Sequence, residues 1–221
     1  MPKDRYWLYR AHWNEDAETV HILPHWSWKG HEGEKIPVFV YTGGDAAELF
    51  INGRSQGMRR KGACDLPGGR TNACYRVCGK YRLMWFDTLY EPGEVKAVAY
   101  RNGRRIGESV VRTAGSPVSL RLTPDYDDGN MCFVQIDAVD AAGVRDPLAS
   151  SRISLSIAGP GRIVAAGNGN PRATEPFTST SGHSLFFGKA VAVVRREDPG
   201  EIVLTAAAEG LEAGVLRLNR P

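Results

Sequence analysis

Two Asn-Gly dipeptides, Asn52-Gly53 and Asn102-Gly103, constrain this chain more than any other feature. A two-residue type I′ turn needs positive φ at both central positions, and Asn followed by Gly meets that demand at least cost. Each dipeptide is flanked by alternating residues. Ala47, Leu49 and Ile51 alternate with Glu48 and Phe50, and Val95, Ala97 and Ala99 alternate with Lys96, Val98 and Tyr100. That period of two marks a strand with one buried face. The pattern therefore predicts that residues 46–51 pair with 54–59, and that the strand ending near Tyr100 turns back onto 104–112.

Further short strand patterns repeat along the chain. Residues 19–23, 36–42 and 81–86 read as strands before the second dipeptide, with Pro92-Gly93 as a turn between. The stretch 113–117 (TAGSP) is small, polar and proline-ended, as domain boundaries are. Beyond it Leu120 and Leu122 alternate with Arg121; Val134, Ile136 and Ala138 share one face of a strand over 132–139; and Ile153, Leu155 and Ile157 alternate with serines. Strands follow at 162–166, 190–195, 202–207 and 215–218. Many short strands separated by turn signals predict an all-β fold, with two immunoglobulin-like antiparallel β-sandwiches over 19–115 and 116–221. A short N-terminal helix precedes them: Pro2 suits a first helical turn, and Tyr6, Tyr9, Arg10 and Trp13 then recur at helical spacing. That stripe needs a surface to cover. The helix is expected either to fold back on the first sandwich or to pack against another copy.

Length and charge exclude several classes of function. A chain of 221 residues suits two domains, each large enough to bury a core without staples. The net charge is +3, divided as +5 before Ser116 (18 Lys+Arg against 13 Asp+Glu) and −2 from there on (10 against 12). Neither part has the basic stripe of a nucleic-acid binder, and no apolar run is long enough to span a bilayer. No signal peptide opens the chain, and Met1 directly before a helix start reads as the beginning of an expressed fragment.

Cys64, Cys74 and Cys78 share a glycine-rich loop over 60–79, where no histidine and no Cys-x2-Cys pair supports zinc. Free thiols are the simpler reading of that loop, and one disulfide within it is the alternative.

The segment from His21 to Thr42 carries the clue to identity. Residues 2–13 read PKDRYWLYRAHW, and 23–42 read LPHWSWKGHEGEKIPVFVYT. In that order the two runs resemble the last barrel helix, and the segment after it, of bacterial family 2 glycoside hydrolases of the beta-galactosidase type. The run WFDTLYEPGEVKAVAY (85–100) and the pattern VDAAG, GPGRI, GNGNP and FFGKA extend the resemblance toward the C-terminus. It implies that residues 1–18 are a remnant of the barrel's last helix and that both sandwiches follow a catalytic barrel absent from this chain. It further implies a parent that hydrolyses β-galactosides with retention. A periplasmic or secreted parent is compatible with that, although the terminus itself fixes no compartment.

Retaining glycosidases need two carboxyl groups about 5 Å apart. The family's catalytic motifs do not occur here, and Glu48, Glu91 and Glu94 read as solvated faces of strands and turns, so no catalytic residue is assigned. His21, His25 and His31 read as hydrogen-bonded histidines rather than metal ligands, and Asp125, Asp127 and Asp128 as a solvated loop rather than a calcium cup. The run 167–171 lacks the ending of a phosphate loop. No metal or cofactor is expected. The candidate site is His25, Trp26, Trp28 and Lys29. Tryptophans stack on the apolar faces of sugars, and on a strand these two would point the same way. Because the segment follows directly on what resembles the barrel's last helix, the reading taken is that these residues plug the joint between barrel and sandwich, and sugar binding is the alternative. The expected function is thus a non-catalytic accessory portion that braces the barrel, shapes its rim or helps to oligomerise. A carbohydrate-binding module is the alternative, and an adhesin-type surface fragment a third.

Overall fold

The computed structural model describes residues 2–14, 16–62 and 79–219. The chain divides into two compact units, Pro2–Thr113 and Ala114–Pro221. The loop that holds Cys64, Cys74 and Cys78 lies outside the described residues, and so does the question of their pairing. No helix among the described residues is long and apolar enough to cross a membrane.

The first unit opens with α1 (Asp4–Trp13). Seven strands follow among the described residues: β1 (Val20–Leu23), β2 (Val38–Thr42), β3 (Ala46–Ile51), β4 (Arg54–Arg60), β5 (Leu83–Trp85), β6 (Glu94–Arg101) and β7 (Arg104–Arg112). They form two antiparallel sheets, ordered β1-β2-β5 and β4-β3-β6-β7. Both Asn-Gly dipeptides close two-residue hairpins. Asn52 and Gly53 have φ of 48° and 78°, and Asn102 and Gly103 of 52° and 79°. The alternation read from the sequence sets the faces: Ala47, Leu49 and Ile51 of β3 and Val95, Ala97 and Ala99 of β6 all point into the core. Trp85 is 2% exposed and its Nε1 donates to the Gly57 carbonyl at 3.1 Å. At the β2–β3 turn, a Cβ on Gly44 would lie 2.2 Å from the Tyr100 carbonyl oxygen, so only glycine lets β6 approach.

The second unit contains β8 (Ser119–Asp127), β9 (Met131–Val139), β10 (Arg152–Ala158), β11 (Gly161–Gly167), β12 (Gly182–Ser184), β13 (Lys189–Arg196), β14 (Ile202–Ala208) and β15 (Leu211–Leu218). Val134, Ile136 and Ala138 of β9 join Leu204 and Ala206 of β14 within one apolar cluster. Among the described residues all strand pairings are antiparallel except one. The start of β8 meets β15 in parallel at Ser119 and Glu212, and this joins both halves of the sandwich into a single run of strands, β11-β13-β9-β8-β15-β14-β10-β12. The described chain is all-β apart from α1 and one helical turn at 79–81.

A third two-residue hairpin turn occurs where no Asn-Gly announces it. Phe187 and Gly188 have φ of 51° and 69°, and Phe186 and Lys189 exchange both backbone hydrogen bonds (2.9 and 3.1 Å). A large side chain in the left-handed region is uncommon.

Candidate functional site

The tryptophan segment connects β1 to β2 through bends and turns, not through a strand. The period-two expectation therefore fails, and the two tryptophans go separate ways. Trp26 is 1% exposed and belongs to the first core. Its ring meets Tyr90 edge to face at 5.3 Å, and its Nε1 donates to the Glu91 carbonyl at 2.9 Å. Its own carbonyl accepts from Thr113 Oγ1 at 2.5 Å. Trp28 is half-buried and lies over the edge of the same core. It stacks on His25 with ring centroids 4.6 Å apart, and its Nε1 donates to the His25 carbonyl at 2.8 Å. Lys29 is exposed. Of the four candidates, then, His25 and Trp28 form one stacked pair at the surface, Lys29 follows it, and Trp26 points inward.

α1 folds back on the first sandwich, one of its two expected outcomes, but not through the expected stripe. The stripe of Tyr6, Tyr9 and Trp13 does not fold onto the sandwich; these residues are 49%, 48% and 78% exposed. Tyr9 and Trp13 stack on each other at 4.6 Å. The helix docks through Trp7 and Ala11 instead. Trp7 stacks on His21 of β1 at 5.2 Å, and Asp4 lies 2.8 Å from the His21 ring nitrogen Nε2. That hydrogen bond holds the Asp4 carboxyl below its ordinary range, against the opposing effect of burial. The helix is aromatic on two sides, and periodicity alone could not say which side the sandwich takes.

The remaining candidates resolve into structural roles. His31 pairs with Glu34 at 3.0 Å. Among the described residues, no three His, Cys, Asp or Glu side chains converge as a metal site would require. Asp127 forms a two-pronged ion pair with Arg196, and Asp128 accepts the backbone N–H groups of Asn130 and Met131. Glu48 accepts from Ser55 at 2.6 Å, Glu91 pairs with Arg54, and Glu94 pairs with Arg112 at 2.6 Å. In the 167–171 run, Asn168 and Asn170 accept backbone N–H groups two residues on, which makes two successive side-chain-closed turns. Asn168 Nδ2 also donates to the Ser184 carbonyl at 2.7 Å. A Cβ on Gly167 would sit 2.5 Å from the Phe177 ring, so this segment is a packed knot. Burial pushes the thiol of Cys132 up to about 11, which leaves it inert as a nucleophile.

Comparison with known proteins agrees with this architecture. Residues 120–217 match the family described as glycoside hydrolase family 2 C-terminal domain 5, and residues 33–107 match a domain of unknown function (DUF4982). The beta-galactosidase BoGH2A of Bacteroides ovatus is 35% identical over 226 residues, covering 99% of this chain and 24% of that protein. A beta-glycosidase from Bacteroides vulgatus superposes with a TM-score of 0.82 at 30% identity, over 99% of this chain and 27% of its own. A family 2 glycosyl hydrolase from Bacteroides cellulosilyticus gives 0.79 at 28% identity, over 98% of this chain and 30% of its own. The chain thus spans about a quarter of the length of such relatives. With the match running through both units, the chain belongs to the C-terminal region of glycoside hydrolase family 2.

Proposed function

We propose that this chain is the non-catalytic accessory portion of a larger retaining beta-galactosidase, and that the exposed stripe of α1 seats against the catalytic barrel. The carrying observation is Tyr6, Tyr9 and Trp13 in one row on a helix that already has its sandwich contact on another side. A barrel fits that row because the relatives are several times longer than this chain. The accessory units would then hold the barrel's last helix in place. Burying an aromatic side chain is worth roughly 2–3 kcal/mol. In a full-length enzyme that carries this chain, changing Tyr9 and Trp13 to serine should therefore lower the melting temperature of the whole. The same changes should leave the melting of the 221-residue chain almost unaltered. Sedimentation of the chain is the control: a dimer that dissociates on Trp13→Ser would assign the stripe to a second copy and remove the barrel reading.

The accessory reading also predicts inactivity. The chain alone should not hydrolyse nitrophenyl β-galactosides above a buffer blank. Turnover that survives purification and vanishes on changing one carboxylate of this chain would overturn it.

The carbohydrate-binding alternative rests on the His25–Trp28 pair with Lys29 beside it. Titrating galactose or lactose while following tryptophan fluorescence discriminates the two readings, and saturable quenching that Trp28→Ala abolishes would favour the binding module.

A further inference from the structure

The chain contains three Asn-Gly dipeptides, Asn52-Gly53, Asn102-Gly103 and Asn168-Gly169. Such a pair is chemically reactive as well as turn-forming. The side-chain carbonyl carbon of asparagine can reach the backbone nitrogen of the next residue, and glycine leaves that nitrogen unshielded because it has no Cβ. The three side chains are held in different ways.

Asn52 is clamped. Its Nδ2 donates to the Pro92 carbonyl at 3.1 Å, and its Oδ1 accepts from the Glu94 N–H at 2.8 Å. The fit is so close that a Cβ on Gly93 would lie 2.0 Å from that Oδ1. Asn168 is clamped in the same sense: Nδ2 donates to the Ser184 carbonyl at 2.7 Å, and Oδ1 accepts from the Asn170 N–H at 2.8 Å. Asn102 is held through its backbone, whose N–H donates to Asp45 Oδ2 at 3.3 Å. Among the described residues nothing is hydrogen-bonded to its side-chain amide. Asn52 and Asn102 make a controlled comparison. Their turns have nearly the same φ values, 48° and 78° against 52° and 79°. Both asparagines are exposed, and a Cβ on either following glycine would meet nothing within 4 Å. Neither backbone shape nor access to water separates them; the clamp does.

We propose that Asn102 is a site of spontaneous deamidation, where the chain acquires aspartate or isoaspartate, and that the clamps preserve Asn52 and Asn168. The Gly103 backbone nitrogen gives its proton to hydroxide, and its electron pair attacks Asn102 Cγ. The Cγ–Nδ2 bond breaks, ammonia leaves with a proton from water, and a cyclic succinimide closes. Water then adds to one of the two ring carbonyls. Opening at Cγ leaves aspartate; opening at the backbone carbonyl leaves isoaspartate, whose main chain runs through Cγ. In the balance one water is taken up and one ammonia released, with no change of oxidation state. Either product puts a carboxylate on the hairpin tip between Arg101 and Arg104 and removes one unit from the formal charge of +3. Isoaspartate also adds a methylene to a turn that pairs Arg101 with Arg104. At Asn52 or Asn168 the same attack must first break two hydrogen bonds, which slows it about tenfold or more.

The test is peptide mapping by mass spectrometry after the 221-residue chain is incubated, folded and in denaturant, in mildly alkaline water enriched in heavy oxygen. The label enters only at sites that react during the incubation. In the folded chain Asn102 should convert about tenfold or more faster than Asn52 and Asn168. In denaturant, where only the local sequence acts, the three should convert at comparable rates. Asn102→Gln, whose longer side chain closes the ring far less readily, should abolish the main acidic species that ion-exchange chromatography resolves from the aged folded chain. Conversion of Asn52 or Asn168 at the rate of Asn102 in the folded chain overturns the proposal. So does a folded chain that keeps Asn102 intact while the denatured chain converts it, because the turn itself would then be the protection.

Discussion

Trp26→Ala is expected to lower the stability of the first unit by about 3–5 kcal/mol, the range for removing a buried tryptophan or phenylalanine side chain. Domains of this size are stable by only about 5–15 kcal/mol, so the variant should lose between a fifth and nearly all of its stability. Three features place the change at the severe end. The ring is 1% exposed, so a cavity is left that its neighbours cannot fill by small movements. The Glu91 carbonyl loses its donor. Tyr90, itself fully buried, loses the ring it meets edge to face. Trp28→Ala should cost much less, about 1–2 kcal/mol, because that ring is only half-buried and stacks on a surface histidine. Urea unfolding followed by far-UV circular dichroism measures both. A loss below about 1 kcal/mol for Trp26→Ala would mean that the ring does not hold the core. The contrast bears on function as well, because a sugar at this segment could reach Trp28, His25 and Lys29 while Trp26 stays beneath them.

The parts of the fold that are legible in the sequence share a property: their causes are local. An Asn-Gly pair specifies its turn through its own φ angles, and alternation specifies a strand face through the strand's own period. Both hairpins of the first unit and the inward faces of β3, β6 and β9 follow from residues close together in the chain. What is not legible depends on distant partners. The parallel contact of β8 with β15 rests on one residue pair far apart in sequence, Ser119 and Glu212, and neither residue has a composition that signals it. The Phe187-Gly188 turn is closed by the strands on either side, against the preference of its own first residue. The candidate site differs from expectation for a related reason. A same-side pair of Trp26 and Trp28 requires a strand, whereas this segment bends, so alternate positions no longer share a direction. On α1 the exposed row is visible as a stripe, but Trp7 and Ala11 make a second one, and only the position of His21 on β1 decides between them. Lys61, just after β4, and Arg101, at the end of β6, are distant in sequence, yet they donate to the neighbouring carbonyls of Thr42 and Gly43, and nothing local to either announces it.

In the second unit, the Asp127–Arg196 pair should make stability fall with acid in a defined window. The guanidinium of Arg196 is nearly enclosed, with a side chain 4% exposed, and Asp127 meets it through two hydrogen bonds of 2.7 Å. These bonds are the largest cause holding the Asp127 carboxyl at about 2 instead of 3.8; the Gly129 N–H assists and burial opposes. A carboxyl whose folded value lies below its unfolded one stabilises the fold above the unfolded value and loses that contribution as pH falls through the folded one. The stabilisation is therefore complete above about pH 4 and is lost toward pH 2. Asp127→Asn removes it at every pH and leaves the guanidinium buried without a counter-charge. Breaking a fully buried pair costs about 3–5 kcal/mol; Asp127 is 34% exposed, and solvent screening reduces the expected cost to about 2–3 kcal/mol. Unfolding followed from about pH 7 to about pH 2 should show the variant less stable at neutral pH and converging on the wild type below about pH 3. Replacing both partners, Asp127→Leu with Arg196→Met, should restore part of the loss, because no charge is then left unpaired. Parallel pH profiles for wild type and Asp127→Asn would show that the pair does not brace β8 against β13.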